Sequence, residues 1–296
     1  MMKFYSRVEI IEELKEINIC GMQEPLSKSI VIKYYLYLLK LCLKKQGKRN
    51  DKVVNSEYDS GVYMKSLEYP EKINDLRDIL FLEYDKFVTD EKIGYVFDDK
   101  FYEISNKGFV IELEKELHNW INKFVEKDES LTELGCGQGK HIILLRDSGF
   151  KGKLFGCDIS KNAIEFANNI NKKFGTNILF ECLDMTKPLP QKFSGTTIFT
   201  HTALEQTKHY NEKIIVNLIN LKPKQVMHFE DFYELYPINL RTIGCRLYSY
   251  ARDYQTNLFS ILKKYEQKKK IRILDVEKLR INSPFSVRGV MRWIPL

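Results

Sequence analysis

Apolar positions fall into two regimes that meet near residue 105. Before it, apolar residues recur at three- and four-residue spacing in "VEIIEELKEI", in Ser29 to Lys45 and in "EKINDLRDILFLEYDKFV", the period of amphipathic helices. In the second of these, Lys33, Lys40 and Lys44 share one face opposite a broad Ile, Leu and Tyr stripe, which predicts a mostly buried helix. Polar stretches, "KKQGKRNDK" and "NSEYDSGVY", separate the helices. Beyond residue 105 the punctuation changes to strand, glycine turn, helix and strand again, the signature of an open α/β sheet. A helix in "GFVIELEKELHNWINKFVEK" leads into a first strand, "SLTEL", and a second strand, "KLFGCD", ends at Asp158. The next helix aligns Ile164, Ala167, Ile170 and Phe174, with Ser160 as its N-cap and Gly175 as its stop. "NILFECL", "TTIFTH" and "QVMHF" supply three more strands, with the helix "EKIIVNLINL" before the last of them. A single long helix from about Arg246 would carry Leu247, Tyr250, Tyr254, Leu258, Ile261 and Tyr265, ending at Lys268, Lys269 and Lys270. Two final strands, "IRILDV" and "GVMRWIP", have no helix between them. A helix-free connection is a poor parallel crossover, so the sheet should finish in an antiparallel hairpin.

The stretch "LTELGCGQGKH" places Gly135, Gly137 and Gly139 directly after the first strand of that sheet. Such a turn exposes bare backbone at a helix N-terminus, where a ligand can lie close; a purely structural turn is the alternative. Asp158 follows Gly139 by nineteen residues, at the tip of the second strand. There a carboxylate can accept both ribose hydroxyls of a nucleoside. An ATP-type phosphate loop is disfavoured, because the early glycine and the hydroxyl after Gly-Lys are missing. Lys140 occupies the place of the last glycine of the dinucleotide fingerprint.

"ELGCGQG" closely resembles the first motif of the class I S-adenosylmethionine-dependent methyltransferases, an acidic residue, a spacer and G-x-G-x-G. The resemblance runs from about residue 115 to the C-terminus. It implies a Rossmann-like, mostly parallel sheet with an antiparallel hairpin strand at its end, over residues 106–296, and leaves 1–105 as a helical cap for acceptor recognition. S-adenosylmethionine is the implied cofactor. Glu133 would open the motif, with Gly135, Cys136, Gly137 and Gly139 facing the methionine and ribose. Asp158 and Ile159 would stand at the ribose, and Asp184 with Met185 at the adenine. The fourth strand's end, "FTHTALEQ", makes Thr200, His201 and Glu205 candidates for the methionine end and the acceptor.

Methyl transfer asks for alignment, exclusion of water and, for a hydroxyl acceptor, a base. His201 is the first choice for that base, since histidine titrates near neutrality; a packed strand-end histidine is the alternative. His228 and Glu230, two residues apart at the end of the fifth strand, form a second candidate pair. His118, His141 and His209 read as structural or exposed. No spacing enforces a metal, and none is expected. Tyr58 and Tyr63 are candidates to line a lid. "THTA" stands where amino-methylating nucleic-acid enzymes carry [DNS]-P-P-[YFW], and no cysteine sits there for covalent attack on a base.

Composition adds limits. The 296 residues carry 47 basic and 40 acidic side chains, a formal charge of +7, spread rather than concentrated; nucleic acid is therefore not favoured as a partner. The six cysteines lack zinc-type spacing and read as reduced thiols. Lys33 and Lys40 interrupt the most apolar stretch, so no membrane span and a cytoplasmic setting are expected. The best reading is a methyltransferase for an oxygen or nitrogen of a small metabolite, sugar or natural-product intermediate. An RNA or protein methyltransferase, a non-catalytic binding subunit and a NAD-dependent oxidoreductase are the alternatives; the oligomeric state is open.

Overall fold

The computed structural model of the chain describes residues 51–83 and 85–296, with Leu36 and Lys40. The helices expected at 8–17 and 29–45 lie outside the described residues, apart from Leu36 and Lys40, which are helical and exposed. Among the described residues no helix is long and apolar enough to cross a membrane, and Cys136, Cys157, Cys182 and Cys245 form no disulfide.

A seven-stranded sheet organises the chain from residue 106 onward. In chain order its strands are β5 (Leu131–Leu134), β6 (Leu154–Asp158), β7 (Leu179–Cys182), β8 (Thr197–His201), β9 (Gln225–Asp231), β10 (Ile271–Lys278) and β12 (Arg288–Pro295). They lie side by side as β10-β12-β9-β8-β5-β6-β7. β5 pairs in parallel with β6 and β8, β6 with β7, and β8 with β9; β12 enters antiparallel between β9 and β10. The expected terminal hairpin is present. Every residue of β5 and β9 is buried, as befits strands covered on both faces. One face carries α2 (Asn106–Phe124), α3 (Lys140–Asp147) and α4 (Lys161–Phe174), which contribute Leu117, Ile121, Ile143, Leu145, Phe166 and Ile170 to a single cluster. The other carries α5 (Asn211–Leu221) and α7 (Leu258–Gln267), where Ile214, Leu218 and Leu262 meet Trp293. Ser160 N-caps α4 by accepting from the Ala163 N–H at 3.1 Å, and Gly175 ends it in the left-handed region at φ 63°, both as predicted.

Three expectations change. The helix expected over 71–88 is replaced by 3-10 turns at Pro70–Lys72 and Leu76–Phe81 and a two-residue hairpin, β1 (Leu82–Glu83) with β2 (Lys86–Phe87). Asp75 and Asp78 bind each other's backbone in a capping box, which starts the second turn, and Val88 N–H closes the hairpin onto the Phe81 carbonyl at 2.8 Å. Residues 92–105 are also strand: β3 (Lys92–Phe97) and β4 (Lys100–Ser105) pair antiparallel. The turn between the last two long strands adds β11 (Ile281–Asn282) to β3, so the first third of the chain is stitched to the last. Finally, the long helix from Arg246 is two helices, α6 (Leu240–Arg252) and α7. Asp253 turns left-handed at φ 55°, Tyr254 N–H returns to the Ser249 carbonyl, and the Gln255 side chain caps α7 at Asn257 and Leu258. Residues 51–66 are helical, as α1 (Asp51–Glu57), a π-helical stretch Tyr58–Tyr63 and a last turn Met64–Ser66.

Candidate active site

The turn after β5 is held to the neighbouring strand by its own backbone. Gly135 and Cys136 N–H groups donate to the Cys157 carbonyl at 2.7 and 2.9 Å, and the Gly139 N–H returns to the Cys136 carbonyl at 2.9 Å. Gly135, Gly137 and Gly139 take φ of 76°, 51° and 77°, a region side-chain-bearing residues enter only with strain. A β-carbon on Gly135 would lie 2.4 Å from that of Ala203, and one on Gly137 would lie 2.8 Å from the Tyr63 hydroxyl. The loop is thus a cradle with no room for side chains.

Two carboxylates border it. Asp158 accepts from Gly137 N–H through Oδ2 and from Ser160 N–H through Oδ1, both at 2.8 Å. Burial pushes its pKa up against the pull of these bonds. Glu133 is 1% exposed, and burial drives its pKa well above the usual carboxyl range, reinforced by Glu114 and Asp158. It accepts from Ile142 N–H, while its Oε2 is buried without a partner.

A cavity of about 550 Å³ extends from this cradle. Of the residues singled out from the sequence, Glu133, Gly135, Cys136, Gly137, Asp158, Ile159, Met185, His201, Glu205, Tyr58 and Tyr63 line it. Asn217 fixes Met185 by donating to its carbonyl at 3.1 Å. Gly139 stands behind the cradle, where a β-carbon would strike the Phe180 ring at 2.6 Å. Asp184 accepts from the Thr186 N–H and hydroxyl and is not among the lining residues.

The pair His228 and Glu230 is corrected by its position: both are 0% exposed and neither lines the cavity. They do face the same way, on either side of the buried Thr200, which likewise falls short of the cavity. His228 Nδ1 lies 3.0 Å from the Thr200 hydroxyl, its ring sits 6.1 Å from Trp293, and burial lowers its pKa to about 3. Glu230 Oε1 accepts from Ala203 and Leu204 N–H at 3.0 and 3.1 Å, and burial raises its pKa to about 7. These residues shape the turn that presents Thr202 and Ala203 to the cavity, with Thr202 itself left-handed at φ 50°.

The far end of the cavity holds groups that sequence reasoning missed. Glu114 of α2 is 9% exposed; its Oε2 lies 2.7 Å from His141 Nδ1, and its Oε1 lies 3.0 Å from His118 Nε2, out of line for a hydrogen bond. Burial opposes ionisation of Glu114, yet the charge of His141 and the contacts of both histidines hold its pKa well below the usual range. The His141 and His201 rings meet edge to face with centroids 4.4 Å apart. Burial, then the neighbouring His141, Arg288 and Lys140, push the His201 pKa well below that of ordinary histidine. Lys140 lines the same end, and burial lowers its pKa despite Glu114 and Glu83. The only sequence signal was that Glu114 and His118 are four apart on one helix; His141, read from sequence as structural or exposed, stands on α3 among the lining residues of the cavity.

The α1 side closes the cavity. Asp59 Oδ1 accepts from the Ser160 hydroxyl at 2.5 Å and from Asn162 N–H at 3.0 Å, at the positive end of α4. Gln206 Nε2 donates to the Tyr58 hydroxyl at 2.8 Å, and Arg252 pairs with Glu57 at 2.5 Å.

A family model described as a methyltransferase domain matches residues 125–274. The carboxy-S-adenosyl-L-methionine synthases of two Campylobacter jejuni subspecies are 30% identical over 109 residues, 36% of this chain and 45% of theirs. The chain thus spans less than half the length of the curated relatives it matches. The crystal structure of magnesium protoporphyrin IX methyltransferase from Synechocystis PCC 6803 with bound SAH superimposes with a TM-score of 0.54, covering 83% of this chain and 100% of that one. At 12% identity this likeness is one of fold.

Proposed function

We propose that this chain, which belongs to the methyltransferase-domain family, methylates an oxygen or nitrogen atom of a small molecule enclosed between the cradle and residues before 106. It is an S-adenosylmethionine-dependent enzyme with a Rossmann-like core. The cradle fits that cofactor: Gly135 and Gly137 line the cavity with backbone alone, and the buried Glu133 Oε2 has no donor among the described residues. Glu133 and the Gly135–Gly137 backbone would hold the amino-acid end, Asp158 the ribose, and Ile159, Met185 and Asp184 the adenine, with Glu205 nearer the acceptor. When bound, S-adenosylmethionine supplies a methyl group on a sulfonium, open to in-line displacement. His201 faces the acceptor, while Thr200, His228 and Glu230 act as positioning residues by holding the Thr202–Leu204 turn. Tyr58, Tyr63 and the β1 and β3 segments exclude water above it.

The observation that carries the small-molecule reading is the lining of the cavity. Among the described lining residues, Asp59, Glu83, Glu114, Glu133, Asp158 and Glu205 face a single lysine, Lys140. An RNA backbone calls for the opposite sign. An enclosed volume of about 550 Å³ is in the range of small-ligand sites. Incubation with methyl-labelled cofactor and fractionated lysate tests this: label should enter small molecules, and label confined to RNA or protein would refute it. Thermal stabilisation by a nicotinamide nucleotide and none by S-adenosylhomocysteine would refute the cofactor assignment.

A further inference from the structure

The polar end of the cavity contains a carboxylate–imidazole pair with the connectivity of an oriented base. Glu114 rises from α2 and accepts at 2.7 Å from Nδ1 of His141 on α3. A carboxylate oxygen can only accept, so this contact puts a proton on Nδ1, and in the neutral ring it leaves the lone pair on Nε2. His141 lines the cavity and its side chain is 18% exposed; among the described residues its Nε2 has no hydrogen-bond partner. His201 stands beside it without a carboxylate behind it. Leu82, Ile93, Phe109, Val110 and Leu113 line the same cavity, an apolar lining suited to an acceptor body that presents one polar atom to the imidazoles.

We propose that the acceptor is a phenol-type hydroxyl and that His141, oriented by Glu114, is the base that takes its proton. This rests on the methyltransferase reading above. In the step, the acceptor oxygen forms a bond to the methyl carbon of the sulfonium donor. The carbon–sulfur bond breaks with its electron pair remaining on sulfur, giving a neutral thioether. The acceptor proton passes to His141 Nε2 and then to bulk water. No oxidant, reductant or metal is needed. Glu114 does not touch the acceptor oxygen in this scheme; it is a positioning residue that fixes the tautomer and supports the imidazolium as it forms, the role a buried carboxylate plays behind a hydrolase histidine. His201 narrows the approach and, being held neutral, adds no competing positive charge.

The charged and titratable groups around His141 are Glu114 and His118 on α2, Lys140 on α3, Glu133 on β5, His201 on β8, Glu83 on β1 and Arg288 on β12. Glu114 is the one that contacts the ring through a hydrogen bond, so its neutralisation should move the histidine most.

Two measurements test the pair. First, 15N-detected imidazole NMR of the whole protein should show His141 as the Nδ1–H tautomer, and Glu114→Gln should convert it to a mixture. Second, turnover should be measured with unsubstituted phenols, whose hydroxyl titrates near about 10 like tyrosine, and with a nitrophenol already ionised at the assay pH. His141→Asn should lower kcat on the phenols about 100-fold, with acceptor KM changed less than about threefold, and the loss should shrink to a few-fold on the nitrophenolate. Equal losses on both acceptors, a wild-type rate in His141→Asn, or an Nε2–H tautomer in the wild type would each overturn the inference. So would a wild type that binds S-adenosylhomocysteine in a calorimeter but methylates no phenol, while leaving the methyltransferase reading intact. Failure of the wild type to bind S-adenosylhomocysteine would remove both together.

Discussion

Removing the Asp158 carboxylate should damage the cofactor site more than the fold. Its two oxygens each accept one backbone N–H at 2.8 Å, from Gly137 in the cradle and from Ser160 at the start of α4. In Asp158→Ala both donors lose that partner. A buried N–H without a partner costs about 1–3 kcal/mol, but deleting a carboxyl that burial makes hard to ionise returns part of the loss. Global stability should therefore fall by only about 1–3 kcal/mol. Cofactor binding loses more, because Gly137 is no longer pinned and the proposed ribose acceptor has gone. A deficit of about 2–3 kcal/mol corresponds to a Kd for S-adenosylhomocysteine weaker by roughly 30- to 150-fold. Asp158→Asn keeps one acceptor oxygen and should fall between. Isothermal calorimetry with S-adenosylhomocysteine, run beside a thermal melt, reads both quantities. If Asp158→Ala bound within about twofold of wild type while melting normally, the carboxylate would have no place in the cofactor site.

Three other outcomes are expected. Gly135→Ala combines a left-handed backbone with a β-carbon 2.4 Å from Ala203, so urea unfolding should show a loss of about 2–5 kcal/mol; a loss under 1 kcal/mol would mean the cradle relaxes. Asp59→Ala frees the Ser160 hydroxyl and Asn162 N–H and should speed proteolysis within 51–66 and accelerate S-adenosylhomocysteine release about tenfold, for a loss near 1.4 kcal/mol; an unchanged release rate would remove the segment's role as a lid. Glu230 and His228 should oppose each other in pH dependence. Glu230, at about 7 in the fold against an ordinary 4.5, keeps a proton the unfolded chain has lost, so its contribution falls as pH rises from about 4.5 to 7. His228, at about 3 against 6.5, lacks a proton the unfolded chain holds, so its contribution rises with pH from about 3 to 6.5. Relative to wild type, denaturant midpoints of His228→Gln should decline with pH across the shared window, and those of Glu230→Gln should climb; parallel curves would refute the assignment.

The parts of the molecule legible in the sequence are those where one local rule decides. β5 is followed at once by Gly135 and β6 ends at Asp158, α4 is bracketed by Ser160 and Gly175, and the missing crossover before β12 forces an antiparallel entry. The helix break at Asp253 was hidden because Leu247 and Tyr250 continue in phase with Leu258 and Ile261, so periodicity carried across a left-handed residue. The β3–β4 hairpin was read as cap because its fourteen residues alternate weakly and its partner, β11, lies far away in sequence. The acceptor end was invisible for a related reason. Glu114, His118 and His141 look like solvent-facing charges on two helices, and only the packing of α2 against α3 under the β1 and β3 segments buries and joins them.

That contrast assigns the two halves of the reaction to different physical constraints. The cofactor residues sit on turns whose backbone is fixed by sheet register, Gly135 and Cys136 on Cys157, Thr202 on Phe229, so their geometry follows from strand order. The proposed acceptor residues sit on side chains of α2, α3 and the chain before residue 106, which is joined to the core by Asp59 on α4, Tyr58 with Gln206, Glu57 with Arg252, and β3 with β11. Ile73, Ile79 and Leu82 also join Leu117, Ile121 and Ile143 in one apolar cluster, so this part of the chain is tied by packing as well as by polar contacts. Substitutions at Ile93 or Phe109, which are partly buried and outside that cluster, should reshape the proposed acceptor wall while the Gly137–Asp158 bond holds. Specificity for the acceptor should accordingly be separable by mutation from affinity for S-adenosylhomocysteine.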